Sequence, residues 1–340
     1  MTSRSKGMLK VSGVQKMKIS ISIIAVVLVL GALMIDQRTN LFIYAMTNNE
    51  LPELLPPKDE GEAVVWFDDY YTVQKIDERT FAIGEPRYYQ FNFNYLILGE
   101  TRAIIFDAGT GQRDIRAVVE SLTDLPLTFI PSHLHYDHIG NEVVFEKTAL
   151  VDLPHLRQRA VDNRLSLTRL EHLGEVEGYG LPELMISEWL VPNETIDLGN
   201  RPLLVLYTPG HTEDSISLFD QESGYLFAGD FLYPGQLYGF LPNSNMGDYL
   251  QGAQTIESVS GDSLRVFGAH RDASLGVPEL NLETVIRLRK TLNGIRSGAL
   301  ESIGTYPVIY EIDDRVQLLS EPKWLQDWTP MYPVLNTKNH

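Results

Sequence analysis

Cysteine is absent from all 340 residues. The chain therefore has no disulfide, no thiolate metal ligand, no cysteine nucleophile and no lipid attached through sulfur. Positive charge is also scarce: 28 Lys and Arg face 45 Asp and Glu, a formal net charge of −17. Five of those cations, Arg4, Lys6, Lys10, Lys16 and Lys18, stand before Ile19, so the remainder is more acidic still. A body of that charge repels nucleic acid phosphates, which excludes nucleic acid as a partner and leaves a small-molecule substrate.

Acids are missing from the N-terminus until Asp36, and no charge interrupts Ile19–Ile35. As a helix rising ~1.5 Å per residue this run spans roughly 26 Å, enough to cross most of a bilayer core with Lys18 at one edge. The basic flank sets that end in the cytoplasm, so residues 1–46 read as an uncleaved signal anchor holding an exported domain, periplasmic or extracellular. A cleaved secretory signal is the alternative, although Gly31-Ala32-Leu33-Met34 is a poor small-residue cleavage site.

What is present is a concentration of metal-ligand side chains. His133-Leu-His135-Tyr-Asp137-His138 packs three imidazoles and a carboxylate into six residues. Such groups crowd and desolvate one another unless a cation sits among them. Residues at i and i+2 of an extended segment share a face, so His133 and His135 converge on one ion. Asp137 and His138, in the turn beyond, then face a neighbouring ion, and Gly140 lets another backbone approach closely. Downstream, Thr208-Pro-Gly-His211, Phe227-Ala-Gly-Asp230 and Phe267-Gly-Ala-His270 each end an apolar run in a small-residue turn and a ligand-type side chain. Five of the eight histidines fall in this set, leaving His155, His172 and His340.

The ordered set resembles the metallo-β-lactamase superfamily over roughly Val73 to Leu300. The resemblance implies an α/β (α+β) fold, the four-layer αββα sandwich with ligands on loops at one edge of two packed sheets, here preceded by an N-terminal hydrophobic helix. It implies one metal on His133, His135 and His211, a second on Asp137, His138 and His270, and Asp230 bridging both. Two Zn2+ per chain fit that N/O set, with iron or manganese admissible on the carboxylate-rich side. Asp107, closing Ala103-Ile-Ile-Phe106, corresponds to a buried carboxylate that orients a metal-binding His; a turn-capping role is the plainer one. Asp137 doubles as a proton shuttle. Tyr233, three residues after Asp230, stands where lactone-opening members carry a tyrosine that hydrogen-bonds the substrate carbonyl. A packing tyrosine is its alternative.

Two such ions hold a bridging hydroxide, so the expected activity is hydrolysis of a carboxylic ester, lactone or thioester. A β-lactam hydrolase of the all-His/Asp type and a mononuclear iron sulfur dioxygenase are the alternatives. The stretches Tyr88–Phe93 and Phe231–Phe240 read as aromatic loops flanking the metals and suited to an apolar group of the substrate. Absences again narrow the field. The missing cysteine excludes the Cys-ligated lactamase branch, and only forty positions between Asp230 and His270 leave no room for the inserted domain of the nuclease branches. Few basic residues near the motifs argue against phosphodiesters. The tail after Leu300 reads as strand, unlike the helical glutathione-binding domain of glyoxalase II-like thioesterases. Gly261-Asp-Ser263-Leu264 lacks a partner His for a serine hydrolase, and Gly109-Thr-Gly111 lacks the third glycine of a dinucleotide fingerprint.

Periodicity divides the chain into 1–46, a linker at 47–72 exposed over Thr47–Glu62, a catalytic domain at 73–300 and a C-terminal hairpin extension at 301–340 turning at Asp313-Asp314. Strands are expected at Val73–Ile76, Phe81–Ile83, Tyr95–Leu98, Ala103–Phe106, Leu127–Pro131, Leu203–Tyr207, Ile216–Phe219, Tyr225–Phe227 and Val266–Phe267. Helical spacing marks Ile115–Leu122, Leu156–Leu173 and Leu282–Ile295.

Overall fold

The computed structural model describes residues 13–48, 50–272 and 274–332. The chain divides into two compact units, Met1–Thr47 and Asn48–His340. In the first, helix Gly13–Asp36 contains the charge-free run and helix Arg38–Met46 follows it. Among the described residues no single helix is long and apolar enough to cross a membrane; Ile24–Asp36 and Arg38–Met46, bent by 64° at their junction, meet that criterion only together. Arg4, Lys6, Lys10 and His340 lie outside the described residues.

The second unit is built on two six-stranded sheets. One runs in the order Val64–Trp66, Thr72–Asp77, Thr80–Glu85, Asn92–Leu98, Ala103–Phe106 and Leu127–Ile130. The other runs Thr195–Asp197, Pro202–Tyr207, Ile216–Asp220, Tyr225–Gly229, Arg265–Gly268 and Glu279–Asn281. Neighbours are antiparallel except at one pair in each sheet, Ala103–Phe106 with Leu127–Ile130 and Tyr225–Gly229 with Arg265–Gly268. Such parallel neighbours need a crossover, and helices Arg116–Leu122 and Met246–Val259 supply it.

Strand alternation assigns each side chain to a layer. Along Pro202–Tyr207, Leu203, Val205 and Tyr207 join the core between the sheets, with Tyr95, Ile105, Phe129, Phe227 and Phe267. Leu204 and Leu206 face the other way, into a second core with Tyr249, Ile256, Leu288 and Leu292 from helices Met246–Val259 and Leu282–Ser297. Apolar residues on both faces of central strands require cover on both sides, and the αββα sandwich provides it.

Several expectations need correction. The segment 47–72 is not wholly a linker: Val64–Trp66 forms the edge strand, Tyr70 and Tyr71 are buried, and buried Glu60 pairs with Arg271 at 2.5 Å. Leu156–Leu173 is not one helix. Asp162 and Asn163 take positive φ (51° and 61°) between the bridged residues Val161 and Arg164, a turn that suits these two residue types and breaks the segment into helix Pro154–Arg159, strand Arg164–Ser166 and helix Arg169–His172. Helix Met246–Val259 was hidden by its small and polar residues, although the Asn245 side chain caps it by accepting from Asp248 N. The C-terminal hairpin forms from Val308–Glu311 and Val316–Ser320, and its second strand pairs in parallel with Gly235–Gly239.

Gly140 makes the close approach its sequence position implies. A Cβ there would lie 2.1 Å from the Thr110 carbonyl carbon and 2.4 Å from Gly111 N. Gly140→Ala is therefore expected to lower stability by about 1–3 kcal/mol through a clash that only backbone movement relieves, read as a drop in Tm of the purified protein. An unchanged Tm would refute that contact.

Candidate metal centre

The ends of four strands open onto one edge of the sandwich and deliver the ligands. Strand Leu127–Ile130 runs into Ser132–His138, with Asp137 and His138 on the short helix Tyr136–Ile139 rather than in an irregular turn. His211 follows Pro202–Tyr207, Asp230 follows Tyr225–Gly229, and His270 follows Arg265–Gly268. Gly229 has φ +51°, and a Cβ on it would lie 2.5 Å from the Ser132 side chain, so its hydrogen lets the two sheets close around the site.

All seven side chains meet there and all are buried. His135 Nδ1 lies 2.9 Å from His133 Nε2 and 3.1 Å from His211 Nε2. On the other side, His270 Nε2 lies 3.4 Å from Asp137 Oδ2, and His138 Nε2 lies 3.6 Å from the same oxygen. Asp230 spans the two sets. Its Oδ1 is 3.1 Å from His270 Nε2 and 3.4 Å from His138 Nε2, while its Oδ2 is 3.4 Å from His211 Nε2.

The outward nitrogens explain which atoms face in. His133 Nδ1 is held by Ser132 Oγ at 3.0 Å, His138 Nδ1 by Asp107 Oδ2 at 3.0 Å, His211 Nδ1 by the Tyr238 carbonyl at 3.0 Å and His270 Nδ1 by the Gln90 carbonyl at 3.1 Å. Each partner accepts the Nδ1 proton and leaves an Nε2 lone pair pointing inward. His135 is reversed, with Nδ1 inward. Asp107, itself at φ +64°, also accepts from Ser132 N at 2.6 Å, so it both orients His138 and fixes the start of the ligand loop. Two converging atoms, His138 Nε2 and Asp230 Oδ1, are buried with no hydrogen-bond partner. Orphaned donors and acceptors of that kind are costly in a core. Nitrogen and carboxylate oxygen aimed at common points fit divalent cations of the zinc type, and the buried clusters are consistent with a dinuclear metal site.

Electrostatics separate the two halves. Burial, reinforced by neighbouring imidazoles, holds His133 and His135 well below the usual histidine range, and burial lowers His211. Burial acts the same way on His138 and His270, but carboxylates outweigh it: Asp137, Asp107 and Asp230 push His138 well above its ordinary value, and Asp230 with Asp137 raises His270. Asp230, despite burial, is held well below the carboxylate range by His270 and His138. Without metal, these carboxylates favour the protonated forms of His138 and His270.

Tyr233 was expected either to donate to the substrate carbonyl or to pack, and the structure places it in a packing arrangement. Its hydroxyl donates to the Gln236 carbonyl at 2.5 Å and its ring packs edge-on to His270 with centroids 5.1 Å apart. The hydroxyl thus has an internal acceptor, as in the packing alternative. The flanking aromatic stretches are also less open than expected: Tyr88, Phe231 and Phe240 are buried, Tyr238 is partly covered and Tyr89 is exposed. Ser132, Gln90 and the Tyr238 carbonyl were not legible in the sequence, two of them because they act through main-chain oxygens that any residue carries.

Residues 90–270, more than half of the chain, match the family model described as the metallo-beta-lactamase superfamily, and the chain belongs to that superfamily. It is an MBL-fold metallo-hydrolase. Among curated relatives, acyl-coenzyme A thioesterase MBLAC2 of Gallus gallus is 29% identical over 204 residues, 52% of this chain and 74% of the relative. The Homo sapiens protein of the same name is 26% identical over 238 residues, 60% of this chain and 84% of the relative. A hydroxyacylglutathione hydrolase of Synechococcus sp. is 28% identical over 160 residues, 45% of this chain and 54% of the relative. Among solved structures, a metallo-beta-lactamase of Erythrobacter litoralis aligns with a TM-score of 0.50 at 16% identity, covering 68% of this chain and 99% of that one. At that identity the likeness supports the fold.

Asp230→Asn should weaken the bridge, lower metal occupancy and abolish hydrolysis with the sandwich still folded, whereas Tyr233→Phe should leave kcat unchanged and cost about 1 kcal/mol for its lost hydrogen bond. Full metal content and turnover in Asp230→Asn, measured by elemental analysis and rate assay, would contradict the bridging role. Cation binding must also displace protons from His138 and His270. Zinc affinity is accordingly expected to fall as pH falls, more steeply for the second ion than for the first, whose histidines are already neutral. Parallel slopes for both ions in zinc titrations across pH would refute this asymmetry.

Proposed function

We propose that this protein hydrolyses thioesters, with zinc as the working metal. The observation that carries the reading is the convergence of seven buried ligands into two sets sharing Asp230. Support for the thioester comes from relatives whose names state that activity, acyl-coenzyme A thioesterase and hydroxyacylglutathione hydrolase. Two divalent ions bound there would supply a nucleophile from water at neutral pH and an electrophile for the substrate carbonyl.

The chain's own groups fix where that chemistry occurs. His133, His135 and His211 present three neutral nitrogens, the softer set, suited to holding an ion that still accepts a carbonyl oxygen. Asp137, His138 and His270 present a set carrying a carboxylate, and Asp230 places one oxygen toward each. Ser132, Asp107, Tyr238 and Gln90 prevent the rings from turning. Asn92 Nδ2 donates to the Asp137 carbonyl at 2.9 Å and lies 3.3 Å from its Oδ2, restraining the carboxylate as well. With five of the seven ligands held by partners outside the centre, little reorganisation is left for the reaction to drive. A thiolate needs no proton to leave at neutral pH, so the site requires no separate acid, in keeping with the committed Tyr233 hydroxyl.

The chain's net charge of −17 disfavours a polyanionic carrier, so the test separates bond from carrier. Zinc-loaded protein should cleave acyl-coenzyme A and the uncharged S-acyl-N-acetylcysteamine with kcat/KM at least about 10-fold above that for p-nitrophenyl esters, lactones of equal acyl length or a cephalosporin. Faster turnover of a lactone or a β-lactam would overturn the thioester assignment. One iron per chain with oxygen uptake would replace hydrolysis altogether.

A further inference from the structure

Beside the metal centre lies a buried carboxylate that none of the ligands uses. Glu177 closes the 3-10 turn Gly174–Glu177, set between two left-handed residues, Leu173 at φ 58° and Gly178 at φ 78°. Helix Arg169–His172 leads into that turn, its own start fixed by the reciprocal Thr168 and Glu171 capping bonds. Both Glu177 oxygens are occupied: Oε2 accepts the Tyr88 hydroxyl and Oε1 the Tyr89 hydroxyl. Burying a carboxylate is costly unless donors surround it, so the two phenols and Glu177 hold one another in place.

Tyr88 and Tyr89 open a tight turn in which Phe91 N donates to the Tyr88 carbonyl at 3.0 Å. Phe91 has φ 53°, a left-handed conformation that a bulky aromatic rarely adopts and that persists only where surroundings impose it. Three restraints impose it. Arg271 lies over the Phe91 ring at 5.1 Å, the Gln90 side chain accepts from the Tyr136 hydroxyl at 3.0 Å, and Glu177 grips both tyrosines. In the middle of the turn, the Gln90 carbonyl accepts from His270 Nδ1 at 3.1 Å; immediately after it, Asn92 donates to the Asp137 carbonyl at 2.9 Å. The turn thus acts on His270 and Asp137, two ligands of one set, whereas the outward nitrogens of His133 and His211 are held elsewhere, by Ser132 and Tyr238.

We propose that Glu177 is a positioning residue for the Asp137/His138/His270 metal site alone: it holds the Tyr88–Phe91 turn in its strained form, and that turn aims His270 and Asp137. The inference rests on the dinuclear reading above. Removal of Glu177 relaxes the turn, withdraws the Gln90 carbonyl from His270 and lets the ring rotate, while His133 and His211 keep their partners Ser132 and Tyr238.

The test is zinc titration of the metal-depleted full chain against a competing chelator. Wild type should take up two zinc ions in two steps, and His270→Ala should mark which step belongs to its site. Glu177→Ala should weaken that same step by about 10- to 100-fold, the usual consequence of losing an outer partner of a ligand, and leave the other unchanged. Tyr89→Phe, which cuts one arm on a half-exposed ring, should shift the same step by less, and if Glu177→Ala does not fold it becomes the deciding variant. Equal weakening of both steps, or of neither, would overturn the positioning role, since a merely structural residue lowers the Tm of the metal-free protein without choosing between the ions. A wild-type chain that takes up a single zinc would instead overturn the dinuclear centre itself.

Discussion

The constraint on which the rest of this structure depends is the burial of five imidazoles and two carboxylates at one edge of a sandwich. Such groups cannot be left in a core without compensation. Asp230 makes two sets into one centre, because its two oxygens face different histidines. Everything around it serves to hold those groups against their own crowding. Parallel strand pairs bring their carboxyl ends to the same edge, Gly229 lets the sheets close, and each of four ring nitrogens is taken by a partner outside the centre. A hydrolytic site assembled this way has its geometry set before substrate arrives.

The C-terminal hairpin gains a role from the same logic. Its strand Val316–Ser320 pairs with Gly235–Gly239, placing Tyr238 opposite Leu319, and the Tyr238 carbonyl orients His211. On the opposite flank, the 3-10 turn Gly174–Glu177 reaches the Tyr88–Phe91 turn and, through it, His270. The C-terminal extension and the Gly174–Glu177 turn are thus both tied to metal ligands. The two halves of the centre differ in character because their supports differ: neutral nitrogens with separate anchors on one side, carboxylate-paired histidines sharing a strained turn on the other.

The ligands were legible in the sequence because chemistry forces their type and spacing. Nothing else explains His133, His135, Asp137 and His138 within six residues, and the downstream His211, Asp230 and His270 each ended an apolar strand. Strands such as Ala103–Phe106 were legible for a similar reason, being continuous apolar runs bounded by turn residues. Helix Met246–Val259 was not, since eight of its residues are buried and two of those are glycines, which blurs any polar face. Tyr233 was open between two readings. Its position suited an oxyanion donor, but position does not reveal that its proton goes to Gln236. Glu177 was invisible because two tyrosines almost ninety positions away define it.

Two cations sharing Asp230 in a hydrolase would leave a direct trace in metal content. Elemental analysis of the full-length protein, purified without added metal, tests that sharing most directly. Two zinc ions per chain are expected, falling toward one in Asp230→Asn. A single iron per wild-type chain, or two zinc ions retained at full activity without the Asp230 carboxylate, would contradict it.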